Sequence, residues 1–478
     1  MIGPWKRMPF LRKMYSGKRR IWSSPLENQI KAEAQQWGQK PSKHLIDASW
    51  GDAHRLGMKP ISFVRQVTAA CLYPELLHSE TLPVDARMRA QRLLRECYGG
   101  SVGAYSAMSG IPHVQRSVSD FISRRDGGVP SDPDNIAICN GSQSALLVIL
   151  KLLSYGKGLN QTGVLAPLPI YSLFKLMLTT QGAFMVPCQL FEEEGWALKV
   201  EELRRVIQAT RSHCTPRAMY VINPGNPTGH VQSRESIEGV IQFAAEERLF
   251  LLIDEVYQDS VHMEGCEFIS YKKVLFEMGP EYSDTVQMAS LHSISKGFMG
   301  ECGLRGGYME LVNIDPPVMN VLHTLLATVA CSSLIGQIAL DIMADPPQEG
   351  DPSYPTYLKE VQYIRETLAW NIRLAQDVLG GLPGVTCQPV MGGIFVFPRL
   401  HLPSRAVEQA KVAGMDASQL YCSRLLEEAD LCVEPGCEYG QREGTHHIRI
   451  CVLTPTENLE EVLRRLRVFH LRFLSQFS

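Results

Sequence analysis

Residues 218–255 read AMYVINPGNPTGHVQSRESIEGVIQFAAEERLFLLIDE. Two apolar runs, AMYVI and FLLI, flank a stretch with helical periodicity that opens at Ser233, a candidate N-cap residue. Apolar strands that alternate with helices are typical of βαβ units, whose parallel strands are buried on both faces. The segment therefore predicts a mostly parallel sheet and an α/β fold.

The alternation of strand and helix patterns extends from residue 135 through this segment. It stops at ADPPQEGDPSYP, a stretch rich in Pro, Asp and Gly that begins at Ala344. A long helical pattern follows, and then several short strands. We therefore predict a large domain over residues 112–344 and a smaller α+β domain with connecting segments over residues 41–111 and 356–478.

The composition is that of an ordinary globular chain. Of 478 residues, 45% are hydrophobic and 20% are charged, and the net charge of -3 gives no indication of nucleic acid or an anionic membrane as partner. The longest apolar run, SALLVILKLL, is about half of the ~20 residues that a membrane-spanning helix needs. The 13 cysteines show no C-x-x-C spacing and are interpreted as reduced thiols of an intracellular protein.

The N-terminus is the one region with an unbalanced charge. Its first 20 residues, MIGPWKRMPFLRKMYSGKRR, contain seven basic residues and no acidic one. We interpret residues 1–40 as a flexible basic arm of a cytoplasmic protein, because Pro4 and Pro9 interrupt any long amphipathic helix. The alternative is a presequence that directs the protein to the mitochondrial matrix.

Residues with chemically useful side chains follow five of the predicted strands, and in open α/β sheets ligands bind at these strand ends. They are Gly141, Ser142 and Gln143; Tyr171; Asn223 to Gly229; Asp254 and Tyr257; and Ser293, Ser295 and Lys296. Singly, each has an ordinary explanation as a turn, a core residue or a helix cap. Jointly they suit one ligand that has a phosphate, a flat ring, a ring nitrogen, a ring oxygen and a carbonyl that reacts with an amine. That ligand is pyridoxal phosphate, which lysine binds as a Schiff base.

Six further stretches carry a family resemblance. They are RRDGGVPSDPDNI, INPGNPTG, DEVYQD, KKVLFEMGPEYS, SKGFMGECGLRGGYME and YGQREGTHHIR. From about Lys43 to the C-terminus the chain resembles the alanine aminotransferases, which are fold-type-I pyridoxal-phosphate enzymes. The resemblance implies transfer of the amino group of L-alanine to 2-oxoglutarate, which gives pyruvate and L-glutamate.

The resemblance also assigns roles around the cofactor. Lys296 resembles the lysine that forms the Schiff base and, once freed, moves the proton. Arg305 and Ser293 resemble the groups that hold the phosphate. Asp254 resembles the carboxylate that keeps the pyridine nitrogen protonated, and Tyr171 resembles the aromatic ring that stacks on the pyridine.

The remaining roles concern the ring oxygen, the substrate and a second subunit. Asn226 and Tyr257 resemble the donors to the ring oxygen, and Asn226 also borders the substrate. Arg449 resembles the arginine that pairs with the substrate α-carboxylate, and Gly51 resembles the glycine that lines the substrate pocket. Tyr105, in GAYSAMSG, resembles the tyrosine that reaches the phosphate of the neighbouring subunit, which implies a homodimer with shared active sites.

The sequence departs from the family pattern at the rim of the pocket and in the phosphate cup. Trp50 replaces a small aliphatic residue, and Ser142 and Gln143 stand where the family has Ala and Ser. Glu438 adds a negative charge that a dicarboxylate substrate would feel if the side chain faces the pocket; the alternative is that it points to solvent. None of these departures touches Lys296, Asp254, Asn226, Tyr257, Arg305 or Arg449, and substrate preference is open.

Two other functions are compatible with these residues. One is an aminotransferase or lyase that uses the same cofactor on other substrates, such as a kynurenine-type enzyme; the Gly-x-Pro step at Gly110 is more typical of those relatives. The other is a cofactor-binding paralogue that acts as a partner or regulator, which the complete catalytic set argues against.

Overall fold

The structure is a computed structural model that describes residues 45–328 and 330–478. The basic arm predicted over residues 1–40 lies outside the described residues. The strands are β1 (Ile46–Asp47), β2 (Ile136–Cys139), β3 (Thr162–Leu168), β4 (Phe184–Gln189), β5 (Thr215–Ile222), β6 (Phe250–Asp254), β7 (Met288–Ser293), β8 (Gly307–Val312), β9 (Val385–Thr386), β10 (Phe395–Val396), β11 (Arg399–Leu400), β12 (Leu431–Cys432), β13 (Glu434–Pro435) and β14 (Ile448–Cys451). The α-helices are α1 (Ser62–Leu72), α2 (Val84–Glu96), α3 (Pro112–Arg125), α4 (Ser142–Leu153), α5 (Phe174–Gln181), α6 (Val200–Thr210), α7 (Arg234–Glu247), α8 (Tyr271–Glu277), α9 (Pro280–Ser283), α10 (Pro316–Ala327), α11 (Leu334–Ala344), α12 (Tyr354–Gly380), α13 (Ser404–Val412), α14 (Ala417–Ala429) and α15 (Thr456–Phe477).

The large sheet has seven strands in the order β2-β8-β7-β6-β5-β3-β4. The five strands from β7 to β4 are parallel, and β8 runs antiparallel to both of its neighbours. Every residue of β6 and β7 is buried, as strands between two helical layers must be. The predicted α/β fold with a mostly parallel sheet is confirmed, whereas the antiparallel strand β8 was not predicted.

Local sequence explains how two of the helices begin. The Ser233 hydroxyl accepts a hydrogen bond from the Ser236 N–H and caps α7, as predicted. Helix α4 begins directly after Gly141, whose φ of 81° lies in the left-handed region that favours glycine. A Cβ at Gly141 would also lie 2.6 Å from the Arg305 guanidinium, so this turn requires glycine for two independent reasons.

The C-terminal part contains the long helix α12 and three small sheets. Strands β10, β14 and β13 form an antiparallel sheet, β11 pairs with β9, and β1 pairs in parallel with β12. Helix α2 bonds to both parts of the chain: Asp85 accepts hydrogen bonds from Ser353, and Arg89 pairs with Asp341 of α11. The N-terminal described segment is thereby held between the large sheet and the C-terminal part.

The path after β1 is fixed by a hydrogen bond to β14. The Cys451 N–H donates to the Ala48 carbonyl at 2.8 Å, which brings the next residues beside Arg449. All 13 cysteines are free thiols. Across the residues described, none of the helices combines the length and apolar character that crossing a bilayer requires.

Candidate active site

A cavity of about 340 Å³ lies at the carboxyl ends of β5, β6 and β7. Eleven of the twelve predicted site residues line it: Gly51, Ser142, Gln143, Tyr171, Asn226, Asp254, Tyr257, Ser293, Lys296, Arg305 and Arg449. The twelfth, Tyr105, does not. The residues that follow β5, β6 and β7 meet here because parallel strands end at the same edge of the sheet. Gly51 and Arg449, 398 positions apart in the chain, come from outside that sheet and are brought together by the hydrogen bond between Cys451 of β14 and Ala48.

Lys296 follows β7 after two residues and points toward the N-terminal segment. Its Nζ donates a hydrogen bond to the Gly51 carbonyl at 2.5 Å. A Cβ at Gly51 would lie 2.8 Å from this Nζ and equally close to the Phe395 ring, so any larger residue would displace the amine. The glycine therefore lets the backbone approach the lysine closely.

Asp254 is the last residue of β6, and its carboxylate is buried. Burial raises the pKa of Asp254 to about 6, although hydrogen bonds from Tyr220 and Val256 and the charge of Lys296 oppose the shift. The Tyr220 hydroxyl donates to Oδ2 at 2.9 Å, and the Val256 N–H donates to Oδ1 at 3.3 Å. This carboxylate is under-solvated and would gain from a cationic partner in the cavity.

The opposite end of the cavity combines a guanidinium with a helix N-terminus. Arg305 donates to the carbonyls of Cys302 at 2.7 Å and Asn140 at 3.0 Å, which fix the guanidinium at the start of α4. Ser142 begins that helix, and the buried Ser293 adds a hydroxyl. A positive side chain and the positive end of a helix dipole together form a site for an anion such as phosphate.

Two phenols and an amide lie between these ends. Burial raises the pKa of Tyr171 to about 12 and raises that of Tyr257 further above its ordinary value. Both side chains consequently remain protonated at neutral pH and can donate hydrogen bonds. Asn226, which is buried, accepts a hydrogen bond from Arg449 at 3.2 Å through its amide oxygen.

Arg449 is fixed from several directions. Its Nη2 donates to the Ser49 carbonyl at 2.6 Å, and its Nη1 donates to Asn226. The guanidinium carbon lies 3.9 Å from the centre of the Phe395 ring and 4.8 Å from that of Tyr439. A guanidinium that is stacked and hydrogen-bonded in this way is preorganised for a planar carboxylate.

Sequence reasoning missed three residues of this site: Tyr220, Phe395 and Glu434. Tyr220 is a hydroxyl in an otherwise apolar strand, and a buried phenol usually has a partner, so this signal was available. Phe395 and Glu434 had no comparable signal, because their positions depend on how β10 and β13 pair with β14. Glu434 Oε2 lies 3.1 Å from Arg449 Nη2 inside the cavity.

The residues at the rim are placed differently from one another. Trp50 lines the cavity and is 41% exposed. Glu438 lines a neighbouring cavity instead, where it accepts a hydrogen bond from Gln419 at 3.4 Å. Glu438 therefore does not face the substrate pocket, which was the condition for its expected effect on dicarboxylate substrates. Tyr105 is 75% exposed on the surface of this chain.

Comparison with known proteins identifies the family. Residues 75–466 match the model of the family described as aminotransferase class I and II. The chain belongs to this family. It is 48% identical over 450 residues to alanine aminotransferase 2 of Xenopus laevis, which covers 94% of this chain and 83% of that protein. It is likewise 48% identical to human alanine aminotransferase 1, over 94% of this chain and 91% of the relative.

More distant relatives agree with this membership. Glutamate–glyoxylate aminotransferase 2 of Arabidopsis thaliana is 38% identical over 92% of each chain. A solved structure of an alanine aminotransferase from Pyrococcus furiosus superimposes with a TM-score of 0.73 at 19% identity, covering 93% of this chain and 97% of that one. This structural likeness shows the fold alone. The predicted resemblance to fold-type-I aminotransferases is confirmed.

The family depends on pyridoxal phosphate, and the cavity fits this cofactor. The Arg305 end suits the phosphate, Asp254 suits the protonated ring nitrogen, and Lys296 supplies the amine. The two glycine positions support this fit, because a Cβ at Gly51 or Gly141 would push against Lys296 or Arg305. The side chains that would hold the cofactor thus depend on space that only glycine leaves.

Proposed function

We propose that this protein is an aminotransferase that moves the amino group of L-alanine to 2-oxoglutarate and gives pyruvate and L-glutamate. Its relatives named alanine aminotransferase, at 46–48% identity over most of the chain, support this substrate pair. The observation that carries the proposal is one cavity that contains the amine of Lys296, the carboxylate of Asp254 and the guanidinium of Arg449.

Pyridoxal phosphate, when bound, supplies an electron-withdrawing ring and the carbon that receives the amino group. Asp254 would keep a proton on the ring nitrogen of the bound cofactor, because a buried carboxylate with a raised pKa is stabilised by a cation beside it. With the cofactor bound, the Nζ of Lys296 would accept the proton from the substrate α-carbon and would donate it back later in the half-reaction, since this amine lies in the same cavity. Tyr257 and Asn226 are the donors that we assign to the ring oxygen.

Arg449 orients the substrate. Its guanidinium pairs with the α-carboxylate that amino acids and 2-oxo acids share, so both half-reactions use one binding group. The contacts with Phe395 and Ser49 keep the guanidinium in place before the substrate arrives. We assign Arg305, Ser293, Ser142 and Gln143 to the phosphate, because Arg305 bonds to the Asn140 carbonyl at the start of α4, where Ser142 and Gln143 form the first turn.

We further propose a homodimer with shared active sites. Tyr105 supports it, because an aromatic side chain that is 75% exposed on the single chain is available to a second subunit. Cytoplasmic localisation remains a prediction, with the mitochondrial matrix as the alternative. Comparing fluorescent fusions with and without residues 1–40 tests which of the two holds.

The test of function is a substrate panel with purified, cofactor-loaded protein. Amino donors should include L-alanine, L-glutamate and L-kynurenine, and acceptors should include pyruvate, 2-oxoglutarate and glyoxylate. We expect the alanine–2-oxoglutarate pair to give the highest kcat/KM. A clear preference for kynurenine, or cofactor binding without any transamination, would contradict the proposal.

A further inference from the structure

The acidic side chain of Glu434 lines the cavity and has no role in the chemistry described above. Glu434 belongs to β13 and lies directly opposite Arg449 of β14 in the antiparallel register. Its Oε2 is 3.1 Å from Arg449 Nη2, and the Tyr439 hydroxyl donates to the same oxygen. The Glu434 side chain is 19% exposed, so the pair is largely shielded from water.

Glu434 contacts the guanidinium of Arg449, which is the group that we assign to the substrate α-carboxylate. Three acids line the cavity, Asp52, Asp254 and Glu434, and Glu434 is the one that forms an ion pair with Arg449 among the described residues. A guanidinium grips a carboxylate best through two parallel N–H donors. In this structure Nη2 already contacts a carbonyl and a carboxylate, so an incoming carboxylate meets an occupied partner.

We propose that Glu434 sets the affinity of this site for substrates, because its carboxylate competes with their α-carboxylate for the guanidinium of Arg449. The inference rests on the proposed function of Arg449. Substrate binding then requires exchange of one carboxylate for another, and the net gain in each binding step is smaller than a free arginine would give.

Arg449 does not depend on Glu434 for its position. The Ser49 carbonyl, the Asn226 amide oxygen and the Phe395 ring all contact the guanidinium independently. Removing the negative charge of Glu434 should accordingly free the arginine without displacing it. All α-amino and 2-oxo acids share the α-carboxylate, so the effect should be the same for every substrate.

The test compares the holoenzyme with the variants Glu434→Gln and Glu438→Gln. Glutamine preserves the shape of Glu434, and Glu438 is the matched control because it lines the neighbouring cavity. Propionate serves as a non-reacting probe with one carboxylate, and its Kd is measured by calorimetry. KM and kcat for alanine, pyruvate, glutamate and 2-oxoglutarate are measured in parallel.

We expect Glu434→Gln to bind propionate about 3- to 10-fold more tightly, as expected for the loss of a partly shielded competing ion pair. The KM values of all four substrates should fall by a similar factor and kcat should change less, whereas Glu438→Gln should leave the Kd unchanged. Glu434→Asp keeps the charge on a shorter side chain and should give an intermediate Kd, which provides a second variant if glutamine disturbs folding.

Three results would overturn the proposal. If a natively folded Glu434→Gln variant bound propionate with an unchanged or higher Kd, Glu434 would not compete with carboxylates for Arg449. An effect confined to the dicarboxylates would place Glu434 against the side-chain end of the substrate. The absence of propionate binding by both proteins would also contradict it. A lack of alanine transamination would refute only the proposed function, because propionate binding does not require turnover.

Discussion

Replacing Asp254 by Asn should stabilise the protein without its cofactor. The folded structure raises the pKa of this carboxyl from 3.8 to about 6, mainly through burial. At neutral pH the wild-type chain consequently has to keep a buried negative charge. Asparagine has nearly the same shape and carries no charge; its amide oxygen can accept the hydrogen bond from Tyr220, but its NH2 group cannot accept the longer one from the Val256 N–H.

The magnitude and its pH dependence follow from linkage. Because the folded pKa of Asp254 lies above the unfolded one, the folded state holds the proton more tightly, and the stability of the wild type falls as pH rises from 3.8 to about 6. Above that range the loss of unfolding free energy is constant at about 3 kcal/mol, because each unit of pKa difference corresponds to ~1.4 kcal/mol. The Asp254→Asn variant would avoid this loss of about 3 kcal/mol at pH 8 and about half as much at pH 5, less about 1 kcal/mol at both pH values for the hydrogen bond from Val256 that it cannot accept.

The assay is urea unfolding of the cofactor-free proteins at pH 8 and pH 5, monitored by circular dichroism. The cofactor should reverse the order of stability, because a protonated ring nitrogen compensates the charge of Asp254 and finds no such partner in the variant. Activity should fall by about 10²–10³, the typical cost of removing one preorganised electrostatic group. A cofactor-free variant that is less stable than the wild type at pH 8, or equally affected at both pH values, would refute this reasoning.

Three further substitutions test other parts of the site. Lys296→Ala should abolish transamination and the visible absorbance of the bound cofactor, because among the described residues Lys296 is the one lysine that lines the cavity; turnover at the wild-type rate would show that the lysine is wrongly assigned. Arg449→Lys should raise the KM of donors and acceptors alike by about 10- to 100-fold, since an ammonium cannot form the two parallel hydrogen bonds; a change for one substrate alone would contradict this. Tyr105→Phe should weaken phosphate binding without changing the unfolding curve of the chain, and a dimer with unaltered cofactor affinity would remove the shared-site argument.

The parallel part of the sheet could be predicted from sequence, but β8 could not. Parallel strands need a long crossover, which the helical patterns between the apolar runs supplied. Only 13 residues, from Ile294 to Gly306, separate β7 from β8, and they form turns around Lys296 and Arg305 instead of a crossover helix. The chain therefore returns antiparallel, and the functional motif itself reverses the strand direction. The motif had been interpreted as chemistry alone.

The residues at the strand ends were predicted correctly as neighbours, since the carboxyl ends of parallel strands meet at one edge. Glu434, the acid that contacts Arg449, was not predicted as a neighbour of these residues. Glu434 and Glu438 are four residues apart, but Glu434 belongs to β13 and Glu438 to the short 3-10 turn Gly436–Tyr439, so they line different cavities. The sequence analysis singled out Glu438, because it departs from the family pattern. In the structure it is Glu434 that lies opposite Arg449 in the cross-strand register. That register is a product of tertiary folding and has no local signature.

The two arginines of the cavity differ in whether a carboxylate lies beside them, and this difference bears on function. Among the described residues, Arg305 bonds to carbonyl groups and forms no ion pair with a carboxylate, so its charge is available in full to a phosphate. Arg449 carries Glu434 as a counter-ion, and part of its charge is already compensated. A cofactor remains bound through many turnovers and benefits from the uncompensated cation. Substrates and products have to leave in every half-reaction, and a carboxylate that competes for the arginine shortens their residence by raising the rate of dissociation. In the proposed function, the same side-chain type therefore serves a resident anion at Arg305 and an exchanging anion at Arg449, and we attribute the difference to Glu434.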